Sequence, residues 1–116
     1  MTHSDLVSKL AKSGETIASE MTAENAHLLH MILGAAGETG ELLDAIKKTV
    51  IYQKPLDIEN VVEELGDVEF YLEGLRQGLG ITREQCIDQN IAKLSKRYAS
   101  MRYSDTQAIE RADKND

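Results

Sequence analysis

Apolar residues recur at spacings of three and four along most of this 116-residue chain, and no useful stretch alternates with the period of two that a half-buried strand requires. The pattern predicts helices throughout. A short one lies near Ser4 to Ser13, and a long one runs from Thr22 to about Val50. A third begins after Asp57 and stops near Gly78 and Gly80, and a fourth covers about Arg83 to Met101. Pro55 marks the break after the second helix, because proline lacks a donor N–H and restricts the residue before it. Asp57 is a natural N-cap, and Thr82 with Gln85 three residues on is a capping-box pattern. Beyond Ser104 the chain turns polar, so the tail is expected to be a loose helix or disordered.

Winding the long helices at about 100° per residue separates their faces. In the second helix Leu28, Ile32, Ala35, Leu42, Ile46 and Val50 form the expected core stripe. Beside it lies a sector with His27, His30, Gly34, Glu38, Glu41, Ala45 and Lys48. The third helix repeats the scheme. Val61, Leu65, Val68, Leu72, Leu75 and Leu79 make its stripe, with Asn60, Glu64, Asp67, Tyr71, Gly74 and Gly78 alongside. On the fourth helix Asn90, Lys93 and Arg97 share one face at the margin of Ile87, Ile91, Leu94, Tyr98 and Met101.

Two acidic pairs emerge from this placement, Glu38-x-x-Glu41 and Glu64-x-x-Asp67. A spacing of three sets side chains on one helix face with Cβ atoms about 5–6 Å apart, so each pair is a two-carboxylate claw. A lone acidic pair of this kind is ordinarily a solvated surface feature. Two of them beside the apolar stripes of consecutive helices need compensation, and those sectors offer few cations. Mg²⁺ or Mn²⁺ suits an all-oxygen site of this kind, and phosphate-bearing substrates are the usual companions of such ions. Lys93 and Arg97 can reach phosphate, although snorkelling surface cations are the ordinary alternative. Tyr71 reads as a core-edge tyrosine with a possible substrate contact, and His27 and His30 as packed or surface residues.

Charge and length narrow the picture. Thirteen basic against 20 acidic residues give a net charge of −7, with no basic run to suit polymeric nucleic acid. The length fits one all-α domain over residues 1–103, followed by a polar tail at 104–116. Cys86 is the only cysteine, which excludes an intrachain disulfide or a zinc cluster. The first dozen residues lack a signal-peptide core, and no segment approaches the roughly 20 apolar residues of a membrane span. A soluble cytoplasmic protein is expected.

The runs Gly37-Glu-Thr-Gly-Glu-Leu-Leu-Asp-Ala-Ile-Lys-Lys48, Tyr52-Gln-Lys-Pro55 and Glu63-Glu-Leu-Gly-Asp-Val68, with Asn90-Ile-Ala-Lys-Leu-Ser-Lys-Arg-Tyr98, resemble the MazG-like all-α nucleotide pyrophosphohydrolases. The likeness covers about residues 25 to 100. Its central pattern is Glu-Glu-x-x-Glu, a spacer and Glu-x-x-Asp, and 22 residues separate Glu41 from Glu64 here. Gly37 stands where the first Glu is often found, and Ala99-Ser100 replaces a frequent Pro-Asp. The resemblance implies a four-helix-bundle-like MazG fold and hydrolysis of nucleoside triphosphates between the α and β phosphates, in house-cleaning or control of the nucleotide pool. It implies that Glu38, Glu41, Glu64 and Asp67 hold Mg²⁺, for which Mn²⁺ can substitute, and that Glu38 or Glu41 activates water. Lys93 and Arg97 would meet the phosphates, with Lys54 a further candidate. Asn90 and Tyr71 would meet sugar or base. A homodimer or homotetramer is implied, with the site near the subunit interface.

Two other readings use the same residues. A carboxylate-bridged di-iron bundle needs two Glu-x-x-His motifs, and only Glu24-Asn-Ala-His27 is present. A non-catalytic helical oligomer that binds nucleotide or scaffolds a partner would keep the carboxylates without turnover.

Overall fold

The computed structural model describes residues 1–114. Its α-helices are α1 (His3–Leu10), α2 (Gly14–Glu20), α3 (Ala23–Val50), α4 (Ile58–Leu79), α5 (Arg83–Arg97) and α6 (Asp105–Glu110), followed by a 3-10 turn at Ala112–Lys114. No strand occurs among the described residues. The chain divides into two compact units, Met1–Leu72 and Glu73–Asp116.

Local chemistry fixes most helix starts. In the first unit Thr2 and Asp5 form a reciprocal capping box for α1. Ser13 caps α2 by accepting from the Thr16 N–H, and Thr22 caps α3 by accepting from Asn25. The N-terminal helix expected near Ser4 to Ser13 is α1, which ends at Leu10, and α2 is a further helix not expected from the sequence, started by the Ser13 cap. Asp57 accepts from the Asn60 N–H and opens α4. Each such cap contributes about 1 kcal/mol.

The turn between α3 and α4 is held by backbone. The Ile51 N–H donates to the Lys47 carbonyl, and the Lys54 N–H reaches back to that of Lys48. Gln53 takes a left-handed conformation, φ 57°, so that the chain can reverse before Pro55. The Lys47 ammonium lies 5.6 Å from the centre of the Tyr52 ring, within cation–π range.

α3 and the first part of α4 then run antiparallel. His30 and Tyr71 meet edge to face, with ring centroids 6.2 Å apart, and the Glu38 and Glu64 carboxyls meet further along. Tyr71 can lie this close because Gly34 has no side chain, and a Cβ there would overlap the ring at Cε1. Packing around this pair is sparse. Met31 and Ala35 are the buried apolar residues among those described. The expected α3 stripe is thus only partly covered: Leu28 and Leu42 are half-buried, whereas Ile32, Ile46 and Val50 are exposed. On α4, Val61 and Val68 are half-buried and Leu65 is exposed.

In the second unit α4 ends in a Schellman motif. Gly80, at φ 68°, donates to the Gln77 carbonyl, and Ile81 donates to that of Arg76. Thr82 and Gln85 form the capping box that their spacing predicts. α5 stops at Arg97, four residues short of the expected Met101. Met101 is left-handed at φ 59°, and the tail returns so that Asp113 pairs with Arg97. The tail itself carries α6, capped by Ser104, while Asn115 and Asp116 lie outside the described residues. Met101, and Arg111 at φ 50°, each carry a left-handed cost of about 1–2 kcal/mol for a residue with a Cβ.

Two glycines in α3 should respond in opposite directions to the same change. Gly34→Ala should destabilise by about 1–3 kcal/mol through overpacking against Tyr71. Gly37→Ala meets nothing within 4 Å and should stabilise by up to about 1 kcal/mol through helix propensity. Urea denaturation of both variants gives the comparison, and equal effects would count against the Gly34–Tyr71 packing.

Candidate functional site

Three carboxylates converge where α3 faces α4. One oxygen each from Glu38, Glu64 and Asp67 lies within 4.8 Å of the other two. Helical spacing puts Glu64 and Asp67 on one face of α4, and the antiparallel register brings Glu38 to them. Glu64 Oε2 is shut off from solvent and has no hydrogen-bond partner. Contact with the Glu38 carboxyl pushes the Glu64 carboxyl above its ordinary range. Burial adds to this, as do the charges of Glu38, Asp67 and Glu41. Among the described residues, no lysine, arginine or histidine pairs with these three groups.

The arrangement fits a hard divalent cation. Oxygens around one Mg²⁺ lie about 3–4 Å apart, so modest side-chain movement closes the trio on such an ion. An orphaned buried oxygen and a like-charge contact are both relieved by it. Glu41, the fourth carboxylate of the sequence pattern, lies outside the trio. It lines a polar recess of about 290 Å³ with Glu64, Asp44, Lys48, Thr49, Lys54 and Asn60 among its walls. Lys54 thus shares a recess with two of the four carboxylates. Lys48 is paired with Asp44 at 3.0 Å. Neither Asp44 nor Thr49 was singled out from the sequence, although the i, i+4 spacing of Asp44 and Lys48 is a legible signal.

Tyr71, one turn beyond Asp67, is half-buried between His30 and Phe70, whose ring it meets at 5.1 Å. The remaining candidates belong to the second unit. Asn90 borders an apolar recess of about 390 Å³ with Leu94, Tyr98 and Tyr103, whereas Lys93 lines a different and more polar one. Arg97 is engaged by Asp113, with Nε to Oδ1 at 3.0 Å. Burial draws the Asp113 carboxyl upward, but the Arg97 hydrogen bond and charge outweigh it and hold the group below its usual range. The shared face of Asn90, Lys93 and Arg97 expected from the sequence is therefore divided between separate environments. Asp113 is a partner that nothing in the sequence pattern marked.

A family model describing the MazG nucleotide pyrophosphohydrolase domain matches residues 26–101 of the 116. The chain belongs to the MazG nucleotide pyrophosphohydrolase family. The match includes all four carboxylates, Tyr71 and the α5 candidates, and leaves α1, α2 and α6 outside. Comparisons with curated proteins and with solved structures returned no match. Among the described residues no helix is long and apolar enough to cross a membrane.

The raised Glu64 carboxyl sets a pH dependence. Between the unfolded value, about 4.5, and the higher folded one, the folded state holds more protons. Metal-free protein should gain stability as pH falls through that interval and lose it as pH rises through the folded value. The thermal midpoint in chelator should therefore rise as pH is lowered from neutral toward about 4.5, and Glu64→Gln should flatten the slope. A slope that the variant leaves intact would contradict the contact. At neutral pH, adding Mg²⁺ should raise the wild-type midpoint.

Proposed function

We propose that the protein hydrolyses nucleoside or deoxynucleoside triphosphates between the α and β phosphates, releasing the monophosphate and pyrophosphate, with Mg²⁺ and with Mn²⁺ as a substitute. The observation that carries this reading is the convergence of Glu38, Glu64 and Asp67 from two helices around a buried, unpartnered oxygen. Family membership supplies the reaction class.

In this reading Glu38, Glu64 and Asp67 hold the cation, and Glu41 contributes from the adjoining recess. A divalent ion at such a site neutralises phosphate oxygens and the charge that develops on the leaving pyrophosphate. Of the two candidates for activating water, Glu41 is favoured by its position outside the trio. Its carboxylate takes the proton as the water oxygen bonds to the α phosphorus. The bridging bond to the β phosphate then breaks, and its electron pair leaves with pyrophosphate. Tyr71 is assigned to the nucleoside, as is Asn90. Lys93, Arg97 and Lys54 are assigned to phosphates.

A homodimer or homotetramer completes the reading. Exposed apolar residues on both long helices, among them Leu33, Leu43, Val62 and Phe70, support association of copies.

Pyrophosphate release from a panel of ribo- and deoxyribonucleoside triphosphates tests the function. Turnover of at least one is expected with Mg²⁺ or Mn²⁺. No release by folded, metal-loaded protein would leave the non-catalytic nucleotide-binding or scaffolding reading in its place. Glu41→Gln should lower kcat by about 10²–10⁴-fold with helicity unchanged. Asp67→Asn should also abolish most turnover, through loss of the cation. Lys93→Ala should act mainly on KM, and an unchanged KM would remove Lys93 from the phosphate site.

A further inference from the structure

The segment Ser104–Lys114 lies beyond the family match and folds back on α5. There Asp113 forks onto Arg97, with Nε to Oδ1 at 3.0 Å and Nη2 to Oδ2 at 3.5 Å. Both side chains are withdrawn from solvent, with 16% and 8% of their surface exposed. A planar guanidinium grips carboxylate and phosphate through the same two-pronged geometry, so Asp113 presents to Arg97 what a phosphate would present. Beside the pair is a recess of about 700 Å³, where Lys93, Lys96 and Lys114 stand with Asp88 and Asp113. Removal of the Asp113 carboxylate frees the Arg97 guanidinium beside a recess that Lys93 lines from the same helix and that is large enough for a phosphate group.

Several features of the docked tail cost free energy. Gln107 Oε1 is buried without a hydrogen-bond partner, so release of the tail restores its contact with water. Met101 and Arg111, which flank α6, both sit in the left-handed region. Ile109, the large apolar side chain of α6, is 80% exposed, so apolar burial contributes little to docking. The Arg97–Asp113 ion pair thus helps to hold down a segment that carries strain and an unsatisfied acceptor.

We propose that residues 104–114 form a displaceable strap, in which the Asp113 carboxylate occupies Arg97 in place of a substrate phosphate and is released when a nucleoside triphosphate binds. The inference rests on the assignment of Lys93 and Arg97 to phosphates made above. The strap makes the resting site self-screened.

The test uses the full chain with Mg²⁺ and a triphosphate analogue bearing a methylene in place of the α–β bridging oxygen. Asp113→Asn should bind it more tightly than wild type, by about tenfold if the strap is closed nine-tenths of the time. In wild type, trypsin cleavage after Arg111, followed by mass spectrometry, should accelerate when the analogue is added. Unchanged or weaker affinity in a folded Asp113→Asn, cleavage slowed by the analogue, or no binding to either protein would overturn the strap. If Asp113→Asn does not fold, the protease result on wild type decides alone. Tail release without pyrophosphate release from true substrates would uphold the strap and reject the hydrolase reading. Turnover with affinity indifferent to Asp113 would reject the strap alone.

Discussion

Two carboxyl groups in contact across an antiparallel helix pair set the terms on which α3 and α4 can associate. Glu38 and Glu64 repel when both are ionised, and burial of Glu64 Oε2 deepens the penalty. The pair can share a proton, as the raised Glu64 carboxyl indicates, or it can enclose a cation. Asp67 adds a third carboxyl oxygen within 4.8 Å of the other two, a donor set of the kind that hard divalent cations take. The rest of α3–α4 is arranged around this contact. The absence of a Gly34 side chain lets Tyr71 close one end, and the Lys54 to Lys48 backbone bond closes the turn at the other.

The second constraint is apolar. A pair of long helices with Met31 and Ala35 as the buried apolar residues described between Met1 and Leu72 cannot draw much stability from its own core. Leu33, Leu43, Val62 and Phe70 remain more than half exposed. Carboxylates held close together on so sparse a core make the metal-free state weak, and a cation that binds only the folded form adds stability by mass action. Cation binding and association of copies would therefore support the same helix pair from different sides.

Features set by near neighbours in the chain were legible in the sequence. Asp57 and the Thr82–Gln85 box cap α4 and α5 as the sequence predicts, because each cap is a contact over three residues. The Glu64–Asp67 pairing follows from helical spacing alone. What depended on the approach of two helices was not legible. Four equivalent carboxylates became a trio with Glu41 beside it, a distinction set by the register of α3 against α4. Arg97, the last residue of α5, pairs with Asp113, sixteen residues on, in a polar tail without periodicity. The core stripes predicted more burial than one chain provides, since periodicity marks which face is apolar and not what covers it.

The proposed hydrolysis requires that Glu38, Glu64 and Asp67 bind a hard cation. Titration with Mn²⁺, followed by paramagnetic broadening of backbone amide signals, reads this directly. The account predicts saturable broadening centred on residues 38, 64 and 67, reversed by excess Mg²⁺ and lost in Glu64→Ala. Broadening spread over the acidic surface, or centred elsewhere and unaffected by Glu64→Ala, would contradict it.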